Sequence, residues 1–490
     1  MVMSKRMIVG CASMVLAAGP AIAIGPDVVV STIGPTLTRY GTTNGVTGYS
    51  ATTVSCNIGD AIAIWIDSTD LNNPNRNKHP VIGQQLYRLH NGKFEQIGMS
   101  WLKHGFCAAD APHCTNLAQR PNPAYVPNNS CDWLGLYATD TYSAGLNGAQ
   151  NTLGPRSEIN AATGAYPYPY VLNWNATGNC TYKRLQIANV DLDPTMNVGA
   201  RYFLEVHYIT TDEANDVRSN NASYRELIVG PQATTGNGCA SDGAGYTLSF
   251  PNSNPTVPLK PALLAWSAID PAVSVTSIDI PNDGRVMIGT KVTDLGNGTW
   301  SYEYAVYNHN SDRSISSFAI PKPSSSAATF SSVGFHDVSY HSGEPFSGTD
   351  WASTVSPGSS SPSSVGTIRW NTEDFAVNPN ANAIRWSTTY NFRFISNRPP
   401  VGGTDAGAVT LGLFKPGVDG DPTTINVPGI IVPSTPCPAD FNQVGGVTVQ
   451  DIFDYLGAYF VADTSADFNG ADGVTVQDLF DFITAFFTGC

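Results

Sequence analysis

The sequence predicts a mainly β protein that ends in a small module of two helices. Short runs of β-branched and aromatic residues with a period of two recur between turns rich in Gly, Pro, Asn and Ser. Only the C-terminal stretch shows the spacing of three and four that is typical of a helix. Nine cysteines are present, and all except Cys11 follow the N-terminal apolar segment, which leaves an even number. An even set is typical of a disulfide-bonded exported protein.

Residues 1–23 have the pattern of an export signal. A basic start and an apolar run lead to Ala21 and Ala23, which form a small-x-small cleavage site. A lipoprotein box around Cys11 is an alternative, although apolar sequence continues beyond it. No later run of 18 apolar residues exists, so we expect no transmembrane segment in the mature chain. The sequence therefore predicts a secreted protein, either extracellular or at the cell surface.

The net charge of −14 argues against nucleic acid as a partner, because a phosphate backbone binds basic surfaces. None of the cysteines forms a CxxC pair, which argues against a zinc ribbon or a redox motif. Six cysteines belong to the β regions, and their pairing stays open: Cys56, Cys107, Cys114, Cys131, Cys180 and Cys239.

Two β domains are predicted before the C-terminal module. The first, residues 25–231, is a disulfide-rich β domain, and a Gly/Pro/Asn-rich linker follows over residues 232–253. The second, residues 254–433, carries alternating aromatic strands such as residues 300–306, which favour a β-sandwich. Its Trp and Tyr content would suit a face that binds polysaccharide, although aromatic residues in strands more often belong to the core.

One loop of the second domain combines histidines with carboxylates. Its candidate ligands are His336, Asp337, His341, Glu344 and Asp350. Such a set could hold a metal ion, but the spacing matches no strong metal signature. The alternative is an ordinary polar loop at the edge of a sandwich.

The module at residues 437–490 is a tandem repeat. Residues 439–460 recur at 466–487, an offset of 466 − 439 = 27 residues. Each copy is a loop followed by an apolar stripe, and we expect the two stripes to pack face to face. The stripe residues are Val449, Ile452, Phe453, Leu456, Tyr459 and Phe460 in the first copy, and Val476, Leu479, Phe480, Ile483, Phe486 and Phe487 in the second.

The loops carry oxygen ligands at the spacing of a twelve-residue calcium loop. Positions 1, 3, 9 and 12 are Asp440, Asn442, Thr448 and Asp451 in the first loop and Asp467, Asn469, Thr475 and Asp478 in the second. Position 5 lacks a ligand in both copies, where Val444 and Ala471 stand. At position 6, Asp472 replaces the usual Gly and tolerates a left-handed backbone. The alternative is a pair of helix-capping loops without metal.

This module resembles a dockerin, in particular the C-terminal dockerin-like segments of planctomycete secreted proteins that end in Gly-Cys. The resemblance implies calcium-dependent docking to a cohesin-like or envelope protein. Cys437 and Cys490 bracket the repeat, and we expect them to form a disulfide.

Part of the first domain distantly resembles lysyl oxidase. The similar segments are HPVIGQQLYRLHNGKFEQIGMSWLKHGFC from His79, the tripeptide Asp-Thr-Tyr that ends at Tyr142, and the stretch that closes with Ser-Asn-Asn. The resemblance implies a copper-dependent quinone made from Lys103 and Tyr142, with His79 as the last copper ligand. The two preceding ligand positions hold Asn75 and Asn77, and amides bind Cu(II) far less well than imidazoles. His90, His104, His113 or His207 could rebuild a copper site, although a lone histidine is more often simply hydrogen-bonded.

Three functional classes follow. The first is an exported, surface-attached or complex-docked structural or binding protein. The second is a copper and quinone amine oxidase, and the third is a carbohydrate-binding or carbohydrate-active module docked to an extracellular assembly. No serine-hydrolase elbow, P-loop or dinucleotide fingerprint is found in the sequence. We therefore expect the first class, a binding protein rather than an enzyme.

Overall fold

A computed structural model describes residues 25–109, 114, 117, 126–127, 130–214, 216–322, 328–356, 366–401, 407–434, 438–442 and 447–488. Strands account for 41% and helices for 12%, so the predicted mainly β class is confirmed. Within these residues no helix is long and apolar enough to cross a membrane. The expected signal at residues 1–23 and the expected Cys437–Cys490 bond lie outside the described residues.

The first β region comprises thirteen strands and two short helices within the described chain. The strands are β1 (Val28–Thr43), β2 (Val46–Asn57), β3 (Ala63–Ile64), β4 (Val81–His90), β5 (Lys93–Met99), β6 (Leu102–His104), β7 (Trp133–Leu134), β8 (Thr139–Tyr142), β9 (Leu153–Gly154), β10 (Leu185–Ala188), β11 (Arg201–Ile209), β12 (Ala222–Ala233) and β13 (Gly245–Ser249). The helices are α1 (Ala144–Asn147) and α2 (Asn189–Leu192).

Two large antiparallel sheets form most of this region, and β3 pairs with β7 in a small third sheet. The long hairpin of β1 and β2 pairs with β8 and β10, and a second sheet has the order β13-β12-β11-β4-β6-β9, with β5 also paired to β4. Alternate residues of β11, such as Leu204 and Val206, enter the core shared by the two sheets. The residues between them, Phe203, Glu205 and His207, are also buried, so this strand is covered on both faces rather than half-exposed as its pattern suggests.

Three disulfides resolve the pairing that the sequence left open. They join Cys56 to Cys114, Cys107 to Cys131, and Cys180 to Cys239. Disulfides of this kind fit an oxidising, extracellular environment. The last of them lies in the expected linker at 232–253, where β13 also pairs with β12. This stretch is therefore tied into the first region by both a covalent bond and a strand.

The second β region contains one helix and twelve strands among its described residues. These are α3 (Leu263–Ile269), β14 (Ser274–Asp279), β15 (Arg285–Asp294), β16 (Trp300–Asn308), β17 (Ile315–Lys322), β18 (Phe330–His336), β19 (Ala352–Ser356), β20 (Gly366–Asn371), β21 (Thr388–Ser396), β22 (Pro400–Val401), β23 (Gly407–Leu413), β24 (Thr424–Ile430) and β25 (Val432–Pro433). Two five-stranded sheets, β14-β15-β16-β21-β18 and β19-β20-β17-β23-β24, enclose an aromatic core. This arrangement fits the predicted β-sandwich.

The two β regions share a continuous buried interface. Tyr302 and Tyr304 of β16 face the sandwich core, whereas Tyr307 belongs to a second cluster that includes Phe94 of the first region and Trp266 of α3. The interface also contains polar contacts. The Tyr307 hydroxyl donates to Glu205 over 2.9 Å, and the side chain of Gln85 donates to Ser387. Strand β16 is therefore buried on both faces.

The tail, residues 438–488, forms two packed helices, α4 (Val449–Phe460) and α5 (Val476–Thr488). The rings of Tyr455 and Phe482 stack with their centroids 4.0 Å apart and are fully buried. The predicted face-to-face packing is present, but the predicted stripe is partly wrong. Ile452, Tyr459, Leu479, Ile483 and Phe486 pack against the core of the tail, whereas Val449, Phe453, Phe460, Val476, Phe480 and Phe487 are exposed.

Candidate functional sites

Lys103 and Tyr142 lie close together in the first β region. Lys103 is in the short strand β6, between β4 and β9, with only 2% of its surface exposed. Its Nζ atom lies 5.3 Å from the centroid of the Tyr142 ring and 4.4 Å from that of Phe106, and it donates to the carbonyl of His104. Because β8 places Tyr142 beside β2, the fold brings together two residues that are 142 − 103 = 39 positions apart.

The Tyr142 hydroxyl is fully engaged by neighbouring groups. It accepts from the Trp65 indole over 2.8 Å and from the Phe106 amide over 2.7 Å, and it donates to the Phe106 carbonyl over 2.7 Å. Burial, together with the carboxylate of Asp140, raises the pKa of Tyr142 well above its ordinary range. The phenol is therefore a neutral, hydrogen-bonded core group.

The amine of Lys103 is shifted towards its neutral form. Burial lowers the pKa of Lys103 to about 8, although the carboxylates of Asp67 and Asp140 oppose the shift. Burial also raises the pKa of Asp140 to about 6. A neutral amine beside a tyrosine ring is chemically able to act as a nucleophile, but only an oxidised ring would accept it.

Two imidazoles, those of His79 and His104, also lie near Lys103. His79 is fully buried, with Nδ1 at 2.8 Å from the Ile66 carbonyl and Nε2 at 3.0 Å from Nδ1 of His104. Burial lowers the pKa of His79 to about 4, so its ring is neutral near pH 7. Since the carbonyl of Ile66 can only accept, Nδ1 of His79 carries the proton and Nε2 accepts from His104. Nε2 of His104 is buried and has no partner among the described residues.

The described residues do not fit a copper site with three imidazoles. Of the three aligned positions only His79 offers a ring, while the amide of Asn77 donates to the Tyr166 carbonyl over 2.8 Å. Within the described chain His104 is the one nearby replacement, and its Nδ1 atom is hydrogen-bonded to His79. No group of three or more His, Cys, Asp or Glu side chains in the described ranges is placed to hold a metal. His113 lies outside these ranges.

The histidine and carboxylate loop of the second β region binds the first β region. Nε2 of His341 lies 2.7 Å from the Met99 carbonyl, and the Trp101 indole donates to the His341 carbonyl over 3.1 Å. The carboxylate of Glu344 accepts from the backbone amides of Arg156 and Ser157. In the described structure these two side chains therefore serve as contacts between the β regions, which is the ordinary polar role that the sequence left open.

The loops of the tail place each final Asp at the start of its helix. The carboxylate of Asp478 accepts from the backbone of Asn469 over 3.0 Å and from the amide and hydroxyl of Thr475 over 2.8 and 2.7 Å. Burial alone would raise the pKa of Asp478, but these hydrogen bonds outweigh it and lower the pKa to about 2. Asp451 makes the equivalent contacts with Asn442 and Thr448 in the first copy. Both residues therefore cap their helices.

The second loop, which is described throughout, has features that suit a cation. One carboxylate oxygen of Asp467, at position 1, is buried and has no hydrogen-bond partner. Asp472 has a φ of 63°, the left-handed conformation expected at position 6. Oδ2 of Asp478 already accepts from both the amide and the hydroxyl of Thr475, so the open carboxylate oxygen belongs to Asp467. The donor set of this loop is compatible with Ca²⁺, which prefers carboxylate and amide oxygens.

The tail also exposes a repeated apolar surface. Phe453 and Phe480 are 63% and 61% exposed, and Phe460 and Phe487 are 79% and 80% exposed. With Val449 and Val476 these residues follow a spacing of four and seven, so each set lies on one side of its helix. We call them the docking stripes: Val449, Phe453 and Phe460 in α4, and Val476, Phe480 and Phe487 in α5. The sequence pattern identified these residues but assigned them to the core.

Most of the groups that surround Lys103 could not be identified from the sequence. Trp65 and Asp67 belong to no motif, and His104 was one of several isolated histidines. Only its position next to Lys103 could have singled it out. No protein-family model matches the chain, and no curated protein is significantly similar to it, so the resemblances rest on the residues quoted above.

Proposed function

We propose that the protein is an exported binding or structural protein, which its C-terminal tail attaches to a cohesin-like or envelope protein. The observation that carries this proposal is the pair of docking stripes. Three large apolar side chains stand exposed at the same positions of both helices, although the helices bury a separate face against each other. Exposed apolar patches of this kind usually mark an interaction site.

The charge of the tail indicates the kind of partner. Residues 438–488 contain many Asp residues and no Lys, Arg, His or Glu. A partner that covers a docking stripe would therefore gain from a basic rim around an apolar centre. This arrangement disfavours anionic lipid and a second copy of this chain, whose net charge is −14, as the occupant.

Calcium has a structural role in this proposal. Asp440, Asp451, Asp467 and Asp478 converge in two loops, and bound Ca²⁺ would offset the repulsion between their carboxylates. In limited proteolysis of the whole chain, we expect millimolar Ca²⁺ to protect the tail and a chelator to expose it. Asp478→Asn should weaken the protection. Equal cleavage with and without Ca²⁺ would show that calcium does not order the tail.

To test docking, binding of the purified chain to isolated cell envelopes of the organism that produces it is measured. We expect the whole chain to bind in Ca²⁺ and a chain that ends at residue 434 not to bind. Phe453→Ala with Phe480→Ala should reduce binding at least about tenfold, whereas either change alone leaves one stripe intact. Val461→Ala removes an equally exposed apolar side chain outside the stripes and serves as the control. Binding that survives the double change would refute docking through the stripes.

A second candidate, the amine oxidase, is favoured by one observation, the approach of Lys103 to the Tyr142 ring. A quinone cofactor would supply oxidation of a primary amine, and copper is needed to form it. We expect no cross-link, because the described residues offer two mutually bonded imidazoles in place of three. The chain would be produced with copper and examined for quinone absorbance, a Lys103–Tyr142 peptide and peroxide release. A cross-link with turnover that His79→Ala abolishes would establish the oxidase instead.

A further inference from the structure

A cavity of about 280 Å³ lies where the two β regions meet. Gln96 and Gly98 of β5 and Gln186 of β10 line one side, and the chain from His336 to His341 lines the other. The cavity therefore exists only while the two β regions are in contact. It is separate from the tail and from the surroundings of Lys103.

The wall from the second β region is fixed by hydrogen bonds. Asn382 donates to the carboxylate of Asp337 over 2.5 Å, and His341 is held by the Met99 carbonyl and the Trp101 indole. Ser342, the next residue, accepts from the Lys183 amide over 2.7 Å. Because hydrogen bonds already hold this segment of the wall, its side chains would lose little conformational entropy when a ligand binds. The cavity is therefore preorganised.

The polar groups of the cavity suit a ligand that both donates and accepts. The His336 ring lines the cavity and makes no hydrogen bond within the described chain, and the carboxylate of Asp337, which accepts from Asn382, makes no ion pair with any described cation. The carboxylate of Asp191, also in the lining, is already paired with Arg88 over 2.9 Å. The cavity can therefore form hydrogen bonds with a ligand, and it does not require the ligand to be a cation.

Apolar side chains make up another part of the lining. Val46, Ile97, Ala188 and Val338 surround the polar pair, and Tyr340 adds an aromatic ring. Small-molecule sites combine an apolar lining with a few oriented polar groups, and those for drug-sized ligands start at about 300 Å³. The cavity is thus large enough for one ring with hydroxyl groups and too small for an extended ligand.

We propose that this cavity binds a neutral sugar through one monosaccharide ring, with His336 and Asp337 as its polar contacts. Hydroxyl groups would donate to Asp337 and complete the hydrogen bonding of His336, while the apolar lining covers the C–H face of the ring. The inference goes beyond the docking function, since it concerns the β regions and needs no tail.

Saturation-transfer NMR of the whole chain tests the proposal with glucose, galactose, mannose, xylose and N-acetylglucosamine as probes, and with 1,4-diaminobutane as a cationic probe. We expect at least one of the sugars to receive saturation and the diamine to receive none. His336→Ala and Asp337→Asn should each weaken affinity at least about tenfold, because each removes a polar contact to the ring. Asp419→Asn makes the same chemical change at an exposed residue outside the lining and should leave affinity unchanged.

Ala188→Leu provides a second variant that fills the cavity and removes no polar group. We expect it to abolish sugar binding while the unfolding temperature stays near that of the wild type. Absence of saturation for all the sugars at 20 mM, about the weakest affinity that would matter in this assay, would overturn the proposal. Binding of the diamine alone, or sugar binding that Asp337→Asn and Ala188→Leu leave unchanged, would overturn it as well.

Discussion

Lys103 shows how burial acts on a single residue. Its amine contacts two aromatic rings and one carbonyl, and no carboxylate of the described chain lies within ion-pair distance. In the unfolded chain a lysine has a pKa near its ordinary value of 10.5, whereas burial lowers the folded value to about 8. The folded state therefore disfavours the charged form, and this penalty is complete below pH 8.

We expect Lys103→Met to stabilise the protein at pH 7, by up to about 3 kcal/mol if the whole shift is relieved. As the pH rises from 8 towards 10.5, the unfolded lysine also loses its proton, so the penalty vanishes and the two proteins should converge. Denaturant unfolding at pH 7, 8.5 and 10 measures the difference. A Lys103→Met protein that is less stable at pH 7 would show that the amine makes net favourable contacts.

Asp478 shows the opposite behaviour at the residue scale, because hydrogen bonds to its carboxylate outweigh burial. Its folded pKa of about 2 lies below the ordinary value of 3.8, so its stabilising contribution is complete above pH 3.8 and is lost as the pH falls towards 2. We expect this part of the tail to lose order in strong acid. Amide chemical shifts of Asn469 and Thr475, recorded between pH 5 and 2, would reveal it.

At the scale of the element, α4 and α5 each have one buried and one exposed aromatic face. Tyr455 stacks on Phe482 and is fully buried, whereas Phe453, two positions earlier, is exposed. A helix places residues two apart on different sides, which explains the contrast. An aromatic side chain is therefore part of the core at one position and exposed to solvent at the other.

We expect Tyr455→Ala to destabilise the tail by about 3–5 kcal/mol, since it removes a buried ring and leaves a cavity. Phe453→Ala should change the stability by no more than about 0.5 kcal/mol, because the side chain is exposed. Hydrogen exchange of the α4 amides compares the two variants directly. Similar losses in both would show that Phe453 contributes to the core of the tail.

At the scale of the whole molecule, the two β regions behave as one body because polar groups of each are satisfied by the other. Glu344 accepts from two backbone amides of the first region, and Asn391 of β21 donates to the Phe94 carbonyl over 2.9 Å. Separation would leave such groups unpaired, at a cost of about 1–3 kcal/mol for each group that stayed buried.

Calorimetry should therefore find a single unfolding transition for both β regions. We expect Glu344→Ala to lower its temperature, because it leaves the amides of Arg156 and Ser157 without their acceptor. Glu373→Ala is the matched control, since Glu373 is exposed and bonds only to Asn378 in the described structure. Two resolved transitions in the wild type would contradict this account of the interface.

The interface also sets a pH dependence. Burial raises the pKa of Glu205 to about 7, against an ordinary value of 4.5, although the Ala262 amide and the Tyr307 hydroxyl oppose the shift. The carboxylate therefore costs stability above pH 7, and this cost disappears as the pH falls to 4.5. We expect Glu205→Gln to stabilise the protein at pH 8 and to lose that advantage by pH 4.5, measured as melting temperatures. An advantage that grows in acid would be inconsistent with this sign.

The sequence by itself determined the mainly β class and the two helices of the tail. Both depend on local periodicity, and the helical periodicity occurs in both copies of the 27-residue repeat. The even cysteine count also indicated an oxidising compartment. Periodicity shows that a helix is amphipathic, but it does not show which of the apolar residues face the other helix. For this reason Phe453 and Phe480 were assigned to the core although they lie on the surface.

Tertiary structure alone decided which cysteines pair, what surrounds Lys103 and where the cavity between the two β regions lies. Each depends on residues far apart in the chain, such as Cys180 with Cys239 or His341 with Met99. The burial of both faces of β11 and β16 also depends on residues far apart in the chain. A polar residue within a strand, such as Glu205 or Glu303, normally indicates a side chain that faces solvent. These two are buried because one β region packs against the other.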